Sequence, residues 1–145
     1  MIKTLFKLSS LVVFAALAPM AATAQEETKI GPRETYNEAR EEMDALIKQR
    51  RLGDAIRMFE SLGQPDNKEL AALDTKMRVL YKTDFTEVAL IRSEIHKNGF
   101  RQEIIGYWND EQYLYVYLLM HTVNNRPRLL NFRFDADFHA LNMLF

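Results

Sequence analysis

After Thr86 the spacing of apolar side chains changes from about 3.6 residues to 2, the change that separates helix from strand. Helices followed by strands in one chain point to an α+β fold, with the helices packed on one side of an antiparallel sheet. From Glu34 to Gln49, Tyr36, Ala39, Met43, Leu46 and Ile47 fall on one helical stripe. Gly53-Asp54 is expected to open a second, shorter helix carrying Ile56, Phe59 and Leu62, with Gly63 as its stop. Asp66 and Glu69 are spaced as a capping box ahead of a third helix, whose buried stripe is Leu70, Leu73, Met77, Leu80 and Tyr81.

Four strands are expected beyond that point. Ile91, Ser93 and Ile95 alternate with Arg92, Glu94 and His96, so the first three are expected to face the helices. Lys97-Asn98-Gly99 is a hairpin turn, because Asn-Gly accepts positive φ. A second strand runs from about Phe100 to Trp108, Asn109-Asp110 turns the chain, and Gln112 to Val123 forms the longest strand, expected to be central. Asn124-Asn125-Arg126-Pro127 turns it again. Arg128 to Phe134 then places Leu130, Phe132 and Phe134 on the apolar face, and Asp137 caps a short last helix. The expected whole is three helices on a four-stranded antiparallel meander, closed by a short C-terminal helix.

The first 24 residues have the makeup of a secretory leader: Lys3 and Lys7, an apolar stretch from Leu8 to Leu17, Pro19, and small residues at Ala22-Thr23-Ala24 for cleavage. The reading is therefore a leader over 1–24, a flexible arm over 25–33 and one domain over 34–145, in the periplasm or secreted, with no stable membrane span after cleavage. The chain has no cysteine. That excludes disulfides, thiolate metal sites, thiol catalysis and a lipidated Cys at the cut. An exported domain without disulfides must be held by its own core, and 48% apolar residues supply one.

Removing Lys3 and Lys7 with the leader leaves 17 basic against 20 acidic residues, a net charge of −3. No basic run suits a phosphate backbone, so nucleic acid is not an expected partner. His96, His121 and His139 lack the His-x-x-x-His or His-x-x-Glu spacing of a metal site, and Asp135 and Asp137 are explained as a strand end and a helix cap. No metal or other cofactor is expected. Isolated glycines exclude a phosphate-cradling loop, and no Gly-x-Ser-x-Gly elbow is present, so catalysis is the weaker class.

One surface stands out. If Leu114, Val116, Leu118 and Met120 face the helices, then Tyr113, Tyr115, Tyr117 and Leu119 face away, where a one-layer sheet normally carries charge. Leu129, Asn131 and Arg133 of the last strand are expected on the same side. Tyrosine and arginine are enriched at binding surfaces, which makes Tyr113, Tyr115, Tyr117 and Arg133 the candidate partner-binding residues, for a homodimer or an envelope protein. The alternative is a small-molecule binder or isomerase-like enzyme with a cavity between Met77, Tyr81 and the concave face of Phe132 and Phe134.

The run Leu129-Leu130-Asn131-Phe132-Arg133-Phe134-Asp135, with Asp137-Phe138 and Leu141, resembles the ending of small uncharacterised exported proteins of Gram-negative bacteria. The order of elements is similar to the cystatin-like architecture, including the nuclear-transport-factor-2-like group. That resemblance implies helices seated on a bent sheet. It implies little chemistry, because the group holds both enzymes and non-catalytic binding domains, and no catalytic motif of those enzymes is matched here.

Overall fold

The computed structural model describes residues 32–61 and 65–145. The leader, the arm as far as residue 31, and Gly63 lie outside the described residues. Helix α1 spans Pro32–Lys48 and buries Tyr36, Met43 and Ile47, with Ala39 and Leu46 packed beside them. It thus starts two residues before the expected Glu34. A sharp turn through Arg50, at φ 62°, leads into α2. The Arg50 guanidinium bonds the carbonyls of Tyr81 (3.1 Å) and Lys82 (3.0 Å) and the Asp84 carboxylate (2.7 Å). It thereby caps the far end of α3.

Helix α2 is only Leu52–Arg57, and Leu62, expected on its apolar stripe, lies outside the described residues. Phe59 is still buried, but the next two residues, Glu60–Ser61, form a short strand, β1. Pairing with the sheet replaces the last helical turn that the spacing suggested. Helix α3 covers Asn67–Leu80 and carries the capping box: the Glu69 N–H donates to Asp66 Oδ1 (2.8 Å), and the Asp66 N–H to Glu69 Oε2 (3.2 Å). Gly53 is where α2 touches α3. A Cβ there would lie 2.1 Å from the Leu70 carbonyl oxygen, and its N–H donates to Asp74 Oδ1 at 2.6 Å.

Strands β2 (Glu87–Ile95), β3 (Phe100–Trp108), β4 (Tyr113–Val123) and β5 (Arg126–Asp135) form an antiparallel meander, and β1 joins β5 in parallel. The order β1-β5-β4-β3-β2 puts β4 at the centre, as expected of the longest strand. Asn98 and Gly99 take positive φ at the first hairpin, and Asn124 and Asn125 do so at the third. The core lies between the helices and one face of the sheet, where Ile105, Tyr107, Leu114, Val116, Leu118, Met120 and Leu129 are buried. The fold is therefore α+β, a four-strand antiparallel meander with helices. Among the described residues no helix is long and apolar enough to cross a membrane.

Two expected registers change. Met120 pairs with Leu129 and Leu119 with Asn131, so Leu130 is the extra residue of a β-bulge. Leu129 turns into the core and Leu130 stays exposed, the reverse of the alternation read from the sequence. In β2, Leu90 pairs with Ile105 and Arg92 with Ile104, which leaves Ile91 as the extra residue. Ile91 then lies against Gly106, where an added Cβ would meet its Cδ1 at 2.8 Å. Ile91, Ser93 and Ile95 do not form a buried stripe: all three are exposed, because β2 is the sheet edge.

Candidate functional site

The tyrosines of β4 do point away from the helical layer, since Leu114, Val116, Leu118 and Met120 fill the core. The surface they form is partly occupied by the chain itself. Helix α4 (Phe138–Asn142), started by Asp137 accepting from the His139 N–H at 2.9 Å, lays its apolar side across the outer face. Leu141 and Phe145 bury Tyr117 to 4% exposure, together with Ile104. The Tyr115 ring meets Phe138 edge-on at 5.7 Å. Arg92 spans the junction, bonding Asn142 Oδ1 at 2.9 Å with its guanidinium 4.1 Å above the Phe145 ring. Tyr113 remains 54% exposed, stacked between Trp108 and Tyr115 at 6.5 and 6.4 Å. Arg133 is exposed and pairs with Tyr117 in register, whereas the bulge removes Leu129 from this face.

The space between Met77, Tyr81, Phe132 and Phe134 belongs to the packed core. Met77 is fully buried, Tyr81 nearly so, and both phenylalanines pack against the cluster. An opening of about 860 Å³ lies elsewhere, between α1 and the β2–β3 edge of the sheet. Tyr36, Asn37, Arg40, Glu41 and Asp44 line it from the helix, and Leu90, Ser93, Ile95, Arg101 and Glu103 from the strands. It exists because α1 stops short of covering the edge strand. Leu90 and Ile95 therefore face the opening instead of a helix.

A buried ion network forms its floor. Glu103 has no exposed surface. Its Oε2 accepts a very short hydrogen bond from the Tyr36 hydroxyl and another from Arg40 Nη1 (2.8 Å). Its Oε1 is held more loosely, by Ser93 Oγ (3.3 Å) and Arg101 Nη1 (3.4 Å). Arg40 also clasps Asp44 (3.1 and 3.2 Å), whose Oδ1 accepts from the Tyr107 hydroxyl at 2.6 Å. The Arg101 guanidinium sits over the Tyr36 ring, 3.8 Å from its centroid, and closes the group on the solvent side.

The electrostatics follow from burial. Desolvation pushes the Tyr107 phenol well above its ordinary value, and the neighbouring Asp44 pushes the same way. Desolvation and the bond to Glu103 raise Tyr36 as well. At Arg40 burial opposes the charge, but Asp44 and the two phenols outweigh it and hold the guanidinium protonated. Both oxygens of Glu103 are occupied by donors, two of them guanidinium groups, so the carboxylate is poorly placed to take a proton from a substrate. The arrangement is suited to holding a group at Arg101, whose contact with Glu103 is the longest in the cluster.

The sequence reading missed this network, although a signal was present. Glu103 falls in phase with Ile105 and Tyr107 on the core side of β3, and Tyr36, Arg40 and Asp44 recur every fourth residue along α1. A charge on an apolar phase opposite a polar row implies a buried pair. Comparison with known protein families, with curated proteins and with solved structures finds no match to this chain. Function therefore rests on the chemistry of the site.

Proposed function

We propose that this chain is an exported, non-catalytic binding domain of cystatin-like arrangement, and that its ligand enters the opening between α1 and β2. The observation that supports this reading is the pairing of two unlike surfaces there. Leu90 and Ile95 give exposed apolar walls, and Arg101 stands over a satisfied, fully buried Glu103. A guanidinium only donates, so the ligand carries a hydrogen-bond acceptor on an apolar body. Its head replaces the loose Glu103 contact of Arg101, while Tyr36 and Arg40 keep the carboxylate paired.

The test is fluorescence titration with 8-anilinonaphthalene sulfonate, an acceptor on an apolar body. The wild-type protein should bind it saturably, Arg101→Ala and Ile95→Ser should weaken that binding, and Tyr113→Ser should leave it unchanged. Equal binding by all four proteins refutes the site. An intact mass corresponding to removal of residues 1–24 from the exported protein tests the compartment.

A second reading is favoured by the open end of the outer face. The stacked row of Trp108, Tyr113 and Tyr115 has a half-exposed ring, Tyr113, at its middle and meets α4 at Tyr115, an arrangement suited to an envelope-protein partner. There Tyr113 and Arg133 supply the contact, while Tyr115 and Tyr117 anchor α4.

A further inference from the structure

We infer that two copies of this chain pair through the edge of β2, antiparallel, about a two-fold axis at Ser93. Strand β2 is nine residues long, ends the sheet, and exposes Leu90, Ile91 and Ile95 at 51, 46 and 71%. Edges of this kind are normally blunted by lysine, proline, a β-bulge or a covering element. The segment from Glu87 to Ile95 holds no lysine and no proline. Its one irregularity, at Ile91, leaves a regular stretch from Arg92 to Ile95.

The hydrogen-bond phase of that stretch selects the register. The His96 N–H donates to the Phe100 carbonyl at 2.8 Å. Backbone groups in an antiparallel pair alternate in direction, so those of Glu94 and Arg92 also turn toward β3, and those of Ser93 and Ile95 turn outward. A second β2 must meet these outward groups with its own. With Ser93 opposite Ser93, Arg92 faces Glu94 of the second copy, and Glu94 faces its Arg92, giving two attractive cross-strand pairs. A slip by two residues sets Glu94 against Glu94. The charge order of β2 therefore complements itself in one register and opposes the neighbouring one.

Both side chains reach the surface while keeping contacts within the chain, Arg92 with Asn142 and Phe145 and Glu94 with Gln102. Arg92 and Glu94 bond each other within the chain at 3.0 Å, with 40 and 43% of their side-chain surface exposed. Glu94 is held below the ordinary carboxylate range by hydrogen bonds from Gln102 and Arg92, so it is charged at neutral pH. Pairing covers apolar side chains now open at the edge and extends the wall of the opening that Leu90 and Ile95 begin. It does not depend on a ligand in that opening.

Sedimentation velocity over a range of protein concentrations tests the inference, with far-ultraviolet circular dichroism as the folding control. The wild-type protein should sediment as a dimer, and Ser93→Pro, which removes an outward N–H, should be monomeric. Arg92→Glu and Glu94→Arg should each weaken dimerisation by about tenfold or more, since two attractive pairs become repulsive. The double exchange Arg92→Glu with Glu94→Arg should restore it, although the contact of Arg92 with Asn142 is still absent. A wild-type monomer at every concentration, charge variants that dimerise normally, or a dimer dissolved by Tyr113→Glu instead would each overturn the assignment.

Discussion

Replacing Glu103 with leucine removes the one carboxylate among the described residues that is wholly enclosed while nearly preserving its volume, so the change measures electrostatics and not a cavity. The Tyr36 hydroxyl and one edge of Arg40 lose their acceptor where little solvent-accessible surface remains. Removing one partner of a buried pair costs ~3–5 kcal/mol. Arg40 keeps its two bonds to Asp44, which is 20% exposed, so the lower end applies, at about 3 kcal/mol. For a domain of this size about 4 °C of melting temperature accompanies each kcal/mol, so the midpoint should fall by about 12 °C. Differential scanning calorimetry reads this directly. Changing Arg40 to leucine as well removes the unpaired charge and should recover at least half of the loss, because exchanging a whole buried pair for apolar groups is often nearly neutral. A fall of less than about 3 °C for Glu103→Leu, or no recovery in the double variant, would refute the view of Glu103 as the centre of a tightly coupled buried network.

Two further outcomes are expected. Gly53→Ala should destabilise by ~2–4 kcal/mol in urea titration, because its Cβ meets a backbone carbonyl of α3 and only a shift of α2 relieves the overlap; an unchanged midpoint would show that α2 and α3 do not cross this closely. The raised phenols of Tyr36 and Tyr107 set the sign of the alkaline pH dependence. The folded state retains their protons above pH 10.0, where the unfolded chain releases them, so stability is whole below that pH and falls as pH rises through it. Absorbance at 295 nm should show the buried tyrosines, Tyr36 and Tyr107 among them, ionising above the range of free phenols, and full ionisation of the folded protein near pH 10 would contradict this.

The parts of the fold that were readable in the sequence are those set by local chemistry. The capping box of Asp66 and Glu69 fixed the start of α3, and asparagine or glycine at positive φ marked the hairpins at Asn98-Gly99 and Asn124-Asn125. Both register errors fall on apolar doublets, Leu90-Ile91 and Leu129-Leu130. There an alternating pattern fits either phase, and only the pairing with the next strand decides which residue becomes the bulge. Strand β1 was unreadable for a related reason: two residues carry no period, and their partner on β5 is remote in sequence. The landing place of α4 depended on the vacant side of the sheet. The ion network required knowing that β3 passes beneath α1, although the polarity of Glu103 within an apolar phase was visible.

The two lateral borders of the sheet are not alike. On the β5 side, the β1 stub, Pro127 and the bulge at Leu130 spoil the hydrogen-bonding row. On the β2 side the row is regular only from Arg92 to Ile95, beyond the bulge at Ile91, and that stretch lies open. A molecule with a single competent border can add one neighbour and then has nothing left to offer, so lateral growth ends at a closed pair and cannot propagate into a fibre.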